Sequence, residues 1–211
     1  SRCQREGRGF DPLCPLQTIM YQIKKFNIEK FFNLAVQNQK KNKFDVAKKL
    51  YSKILNLHPK FIEAYNNLGL IYRSEGENEK AIQCYEKIIK INPNLIDAYN
   101  NLGIIFQKLG KIKKAKDCYE KIIKLDPNFI MAQYNLGLVL RQLGQNEKAL
   151  NCFKKVIEIN PSIVNAHNNL GITYADLGRY KDAIDCYIIA LKQDNKHKKA
   201  KENLISALTY Y

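Results

Sequence analysis

From Ile28 onward the apolar residues fall three to four apart in short runs that stop and restart on a fixed period. The run Ala98-Tyr99-Asn100-Asn101-Leu102-Gly103 marks that period. It recurs as Ala64-Tyr65-Asn66-Asn67-Leu68-Gly69 and as Ala166-His167-Asn168-Asn169-Leu170-Gly171, with a looser copy at Ala132-Gln133-Tyr134-Asn135-Leu136-Gly137. Successive copies are 34 residues apart, and recurrence at a period of this size is the signature of a stacked repeat array. Pro59, Pro93, Pro127 and Pro161 lie on the same period and divide the chain into units 28–61, 62–95, 96–129, 130–163 and 164–197. Positions below are counted from the first residue of each unit.

Each unit predicts two helices. In 96–129, Tyr99, Leu102, Gly103 and Phe106 make one helical stripe, and Ala115, Tyr119 and Ile122 make a second. Gly110 breaks the chain between them. Pro127 ends the unit, because the residue before a proline is pushed out of the helical region. The glycines at 69, 103, 137 and 171 are read as points of close helix approach, with Ala81, Ala115, Ala149 and Ala183 facing them as small packing residues.

The spacing aromatic-x2-Leu-Gly-x2-aromatic, then Ala-x3-aromatic, then Pro, resembles the tetratricopeptide repeat family. Tyr65, Leu68, Gly69, Tyr72, Ala81, Tyr85 and Pro93 carry it in the second unit, and Tyr99, Leu102, Gly103, Phe106, Ala115, Tyr119 and Pro127 in the third. The other units depart from it. Gln133 and Leu140 stand at the aromatic places of the fourth. His167 replaces the first aromatic of the fifth, which has Asn195 for its proline. In the first, Ala35 replaces Gly and Asn38 the second aromatic. The resemblance implies an all-α, right-handed α-solenoid, a superhelix of five helix–turn–helix repeats. Residues 198–211 come next as a capping helix with its stripe at Lys201, Leu204, Ile205 and Leu208; the alternative is that this segment opens a unit of a longer chain.

Residues 1–27 are expected to be an irregular basic leader. Arg, Gly and Pro dominate residues 1–19, whereas Lys, Asn and Ile dominate the chain from Met20 onward. The run Arg8-Gly9-Phe10-Asp11-Pro12 resembles an in-frame translation of a transfer-RNA T-arm, so Met20 is the expected native start; a flexible arm is the alternative.

The net charge of +15 raises nucleic acid as a partner, but its distribution argues against it. Residues 1–61 carry +9 and residues 196–211 carry +3, while 62–195 carry only +3. Polyanion binding needs a continuous basic track. Cys84, Cys118, Cys152 and Cys186 are each 34 apart. Equivalent helices of neighbouring hairpins are roughly 8–10 Å apart, too far for a disulfide or shared zinc, so these thiols read as reduced packing residues. Cys3 and Cys14 belong to the leader. No apolar run approaches the ~20 residues of a membrane helix, and no secretory signal is visible at the start; the expected location is the cytoplasm.

Candidate binding chemistry is a column of amides. Position 6 is Asn33, Asn67, Asn101, Asn135 and Asn169, with Asn203 in line, and position 5 is Asn66, Asn100 and Asn168. The resemblance places this side of the first helix on a concave groove, as in the repeat arms of O-linked N-acetylglucosamine transferases, where such a ladder holds the backbone of an extended peptide. The plainer expectation is that the amides bond to neighbouring helices. Val36, Leu70, Ile104, Leu138 and Ile172 lie three residues on, and Gln39, Arg73, Gln107 and Arg141 a further turn along. Arg73 and Arg141 suit acidic ligand groups. Phe32 and Val36 stand where the family's carboxylate clamp would need Lys and Asn. His58, His167 and His197 have no partner at catalytic spacing. The expected function is a non-enzymatic interaction module for a protein or peptide segment, without cofactor, metal, small-molecule substrate or membrane; the alternative is the substrate-recognition arm of a larger glycosyl- or sulfotransferase.

Overall fold

The structure, a computed structural model, describes the backbone of residues 15–211 and the side chains of residues 28–211. Its described residues form helices joined by short turns, and they divide into two compact units, 1–91 and 92–211. The first holds α1 (Pro15–Lys40), α2 (Phe44–Leu57), α3 (Ile62–Ser74) and α4 (Asn78–Ile91). The second holds α5 (Ile96–Lys108), α6 (Ile112–Leu125), α7 (Ile130–Gln142), α8 (Asn146–Ile159), α9 (Val164–Asp176), α10 (Tyr180–Gln193) and α11 (Lys198–Leu208). Odd and even helices pair as hairpins, and within each unit every even helix also touches the odd helix that comes after it.

The leader is the main departure from expectation. Residues 15–27, expected to be irregular, belong to α1. Pro15 is well suited to a first helical turn, where its missing N–H is not needed, and no Gly or Pro occurs from 16 to 58 to interrupt the helix. The readings of Arg8–Pro12, Cys3, Cys14 and the start of the leader lie outside the described residues.

Two turn devices repeat. At the inner turn Gly110 takes φ +68°, its N–H donating to the Gln107 carbonyl at 3.1 Å while Lys111 N–H reaches the Phe106 carbonyl at 2.8 Å. These paired bonds close the last carbonyls of α5, and a residue with a Cβ resists that left-handed backbone. The first hairpin has no glycine here. Asn42 supplies the conformation, at φ 57°, with the same two bonds from Asn42 and Lys43. At the outer turn a side-chain oxygen at position 31 accepts the backbone N–H two residues on: Asn92 from Asn94, Asp126 from Asn128, Asn160 from Ser162, Asp194 from Lys196. Such self-capping turns fix the chain reversal without proline. That explains how the fifth unit keeps its turn with Asn195 in the proline place.

From the α3–α4 hairpin to the α9–α10 hairpin, the core of each is a ring laid on a glycine. A Cβ placed on Gly69, Gly103 or Gly137 would sit 2.7 Å from the ring of Tyr85, Tyr119 or Phe153, and one on Gly171 would sit 2.5 Å from Tyr187. Those rings are completely or almost completely buried, each worth roughly 2–3 kcal/mol of apolar transfer. The alanines facing them, Ala81, Ala115, Ala149 and Ala183, are fully buried. Cys84, Cys118, Cys152 and Cys186 sit beside the rings as free, buried thiols.

Burial raises the thiols of Cys84, Cys152 and Cys186 to about 11 and that of Cys118 to about 12, from an ordinary 9.0. The folded state therefore holds these protons where the unfolded chain has released them. Their contribution to stability is complete below pH 9 and is lost as pH rises towards 11–12. Denaturant midpoints are expected to hold up to about pH 8 and to fall between pH 9 and 11, and replacing the four cysteines with alanine should flatten that fall. In the core itself, Gly103→Val is expected to cost about 2–3 kcal/mol through forced displacement of Tyr119, read as a lowered midpoint by circular dichroism.

Candidate functional site

The first helices carry the candidate residues, and the structure gives them different fates. Position 4 is the simplest. Tyr99 donates its hydroxyl to the Pro93 carbonyl at 3.1 Å, and Gln133 donates Nε2–H to the Pro127 carbonyl at 3.0 Å. His167 Nε2 reaches the Pro161 carbonyl at 2.9 Å. The residue types differ but the bond is one and the same, so Gln133 and His167, both buried, are structural. His197 is a helix cap: Nδ1 accepts Ala200 N–H at 3.0 Å, leaving Nε2–H to donate to Asn165 Oδ1.

Positions 5 and 6 form rungs between successive first helices of the second unit. Asn169 Nδ2 donates to the Tyr134 hydroxyl at 2.7 Å, and Asn203 Nδ2 donates to Asn168 Oδ1 at 3.0 Å. Each bond runs from position 6 back to position 5 of the preceding unit. Asn168 is only 4 % exposed; expected as a ligand contact, it is instead closed off by Asn203 of α11. The equivalent rung, Asn135 to Asn100, is open: Asn100 Oδ1 is buried without a partner. In the first unit position 5 is Phe32, which accepts nothing, and Asn67 donates instead to the Tyr51 hydroxyl at 3.0 Å. Asn33 is exposed on α1 beside Glu29, Lys30 and Gln37, in a hollow separate from Asn67. Asn66 is half-buried, and Asn101 is engaged in the fold.

Position 12 interacts with the ring at position 24. Tyr51 donates to Gln39 Oε1 at 2.7 Å and Tyr119 donates to Gln107 Oε1 at 3.2 Å. Where position 12 is arginine the acceptor is missing. Tyr85, beside Arg73, has a buried hydroxyl without a partner, and Phe153, in the hairpin of Arg141, has no hydroxyl at all. Burial pushes Tyr85 up to about 12, against the opposing pull of Arg73. Arg141 leans on Asp176, Nε to Oδ2 3.9 Å, with its Nη1 buried and unpartnered. It is therefore already beside an acid of its own chain.

One groove collects several candidates. It lies between α1 and α3, encloses about 480 Å³, and is lined by Val36, Gln39, Lys40, Phe44, Asn67, Leu70, Ile71, Arg73 and Ser74. A second hollow of about 580 Å³ is lined by Lys48, Lys49, Lys53 and Lys80, but also by Asp45 and Glu77. There Lys48 pairs with Asp45 at 3.1 Å and with Glu75 at 3.0 Å, and Lys80 pairs with Glu77. Its charge is largely satisfied internally. Among the described residues no cluster of His, Cys, Asp and Glu could hold a metal ion, and no helix is long and apolar enough to cross a membrane.

The difference between the two tyrosines is measurable. Tyr119→Phe is expected to cost about 1 kcal/mol, since it removes a bond and leaves Gln107 without its donor. Tyr85→Phe removes an unpaired polar atom and is expected to be neutral or stabilising. Equilibrium urea unfolding of the two variants checks the contrast.

The fold agrees with comparison to known proteins. Models described as TPR repeat match residues 69–110 and 137–178, and models described as tetratricopeptide repeat match 96–129, 164–197, 50–83 and 118–151. Among curated proteins none matches this sequence. Solved structures do. A MamA protein is 26% identical with TM-score 0.75, over 82% of this chain and 94% of that one. YrrB, described as a TPR protein with an unusual peptide-binding site, is 25% identical with TM-score 0.76, over 88% and 95%. A tetratricopeptide repeat protein from Parabacteroides merdae, 20% identical with TM-score 0.79 over 87% and 73%, shares the fold. Helical hairpins on a 34-residue period, rings laid on glycines and matched family models together show that the chain is an all-α solenoid of helical repeats and belongs to the tetratricopeptide repeat proteins.

Proposed function

We propose that the chain is a non-enzymatic protein-interaction module that holds an extended or helical peptide segment on the exposed faces of its first helices. The observation that carries this is the α1–α3 groove, where Asn67, Val36, Leu70, Gln39 and Arg73 converge. An apolar floor with a few polar groups at its edge is the usual make-up of a ligand site. The likeness to YrrB, a peptide-binding protein of this family, supports the same reading. On this reading the cell compartment is the cytoplasm, where the buried thiols stay reduced.

The asparagine ladder enters in a reduced form. An amide has one acceptor and two donors, so Asn67 keeps capacity after serving Tyr51, and Asn66 and Asn135 sit half-buried with theirs. Asn168 and Asn169 serve mainly to join helices. Inter-helix bonding is assigned to Asn168, Asn169 and Asn203, and ligand contact to Asn66, Asn67 and Asn135. Replacing those three with alanine is expected to reduce capture of peptide partners from extract of the native cell at least tenfold with the circular dichroism spectrum unchanged, whereas Asn169→Ala lowers stability and leaves capture intact. Unchanged capture by the triple variant would remove the amides from the proposal.

A further inference from the structure

On the second helices one surface site changes character in the fifth repeat. Positions 25 and 26 are exposed or half-buried in all five repeats. The first four fill them with Ser52-Lys53, Glu86-Lys87, Glu120-Lys121 and Lys154-Lys155. The fifth has Ile188-Ile189, 37% and 41% exposed. Stacking of repeats does not cover this place: in the fourth, which has a neighbour on either side, Lys154 is exposed and Lys155 half-buried. Single apolar residues on a surface are ordinary. An adjacent pair where the other repeats keep charged or hydroxyl side chains forms a patch of its own.

Asp185, Ile188, Ile189 and Lys192 are all exposed and fall at i, i+3, i+4 and i+7, a single stripe along the outside of α10. The stripe is complementary to its own reverse. A two-fold axis midway between Ile188 and Ile189 sets α10 antiparallel to its counterpart, with Ile188 against the partner's Ile189 and Asp185 against the partner's Lys192. The two charges stand on opposite sides of the axis, each roughly 5 Å from it along the helix. Asp185 helps to raise the adjacent Cys186 thiol. Among the described residues neither Asp185 nor Lys192 stands in an ion pair.

We infer that the outer face of α10 docks on the same face of a second copy of this chain, with the isoleucines at the centre and two Asp185–Lys192 ion pairs flanking them. The surface belongs to a second helix and is independent of the first-helix faces proposed for peptide. A contact in which both chains use one patch closes on two chains and does not propagate. One turn further out Lys181 comes against the partner's Lys196, beyond the end of α10, so pairing is confined to two turns. That is well short of the ~800 Å² per partner of a stable interface, and it sets a dissociation constant on the order of 100 μM.

Sedimentation equilibrium of the full chain tests this over concentrations from about 10 μM to about 1 mM, a range chosen to bracket that constant. The weight-average mass is expected to climb from 24.5 kDa towards twice that value. Ile188→Glu with Ile189→Lys, which restores the residue types of the second and third repeats, should hold the mass at 24.5 kDa throughout. Asp185→Lys and Lys192→Asp should each weaken association about fivefold, and the two together should recover it to within about twofold of the wild type. Unchanged circular dichroism in each variant checks that the fold is intact. A wild-type chain that stays monomeric at the highest concentration overturns the proposal. So does association that survives the isoleucine replacements, including association abolished instead by Ile205→Glu with Leu208→Glu, which would place the contact on α11. Dissociation of the isoleucine variant without compensation between the two charge reversals overturns the antiparallel pairing.

Discussion

Everything in this fold depends on how closely two helices of a hairpin approach, and that is set where a ring lies flat on a glycine. With Tyr119 within van der Waals reach of the Gly103 backbone, the two helices come near enough for Ala98, Leu102, Ala115 and Ile122 to close the remaining space. Interiors at crystal-like density have no slack to absorb a methyl group in that place. The first hairpin shows the limit of the rule. Ala35 stands at the glycine position, fully buried, and Phe32 lies against the Tyr51 ring at 5.9 Å between centroids, as Tyr134 lies against Phe153 in the hairpin that keeps Gly137. At the other end Ile205 holds the same position in α11, and its side chain is 65 % exposed.

The polar groups obey the same approach. Bringing first helices of neighbouring units together buries parts of their side chains, and buried polar atoms need partners. The Asn-to-position-5 rungs and the Gln-to-tyrosine bonds within hairpins supply them. Among the polar atoms left unmet, Asn100 Oδ1, the Tyr85 hydroxyl and Arg141 Nη1 lie where a neighbour has changed type or a rung stands open, while Asn78 Oδ1, Gln145 Oε1 and Asn146 Oδ1 lie at the inner turns. In the first unit Phe32 at position 5 offers no acceptor, and Asn67, which lines the α1–α3 groove, donates to Tyr51 instead.

Much of the fold is legible in the sequence, because period, glycine, alanine and proline each mark a backbone or packing requirement that few residues satisfy. The pattern fails where a different residue meets the same requirement. Asn42 serves for glycine at the first inner turn, and Asp194 holds the fifth outer turn without proline. The start of α1 is hidden because the Gly- and Pro-rich composition before Pro15 colours the reading of residues that contain neither. The site is less legible. Recurrence of Asn suggests one column with one task, yet Asn168 is buried and bonded and Asn33 lies on another surface. A side chain's partner depends on the residue it meets in the next unit, and a column of identical letters does not carry that information.

The bond from position 4 to the carbonyl of the preceding turn has a consequence for how such a chain can change. Tyrosine, glutamine and histidine all reach that oxygen, so the backbone imposes a reach and a donor and leaves the rest of the side chain unspecified. A position of this kind can drift among chemically unlike residues while the geometry of the unit stays constant. Units that look degraded letter by letter thus remain interchangeable parts at this point, and a repeat protein assembled from 96–129, 130–163 and 164–197 in another order would bring a donor for the preceding turn's carbonyl to each joint.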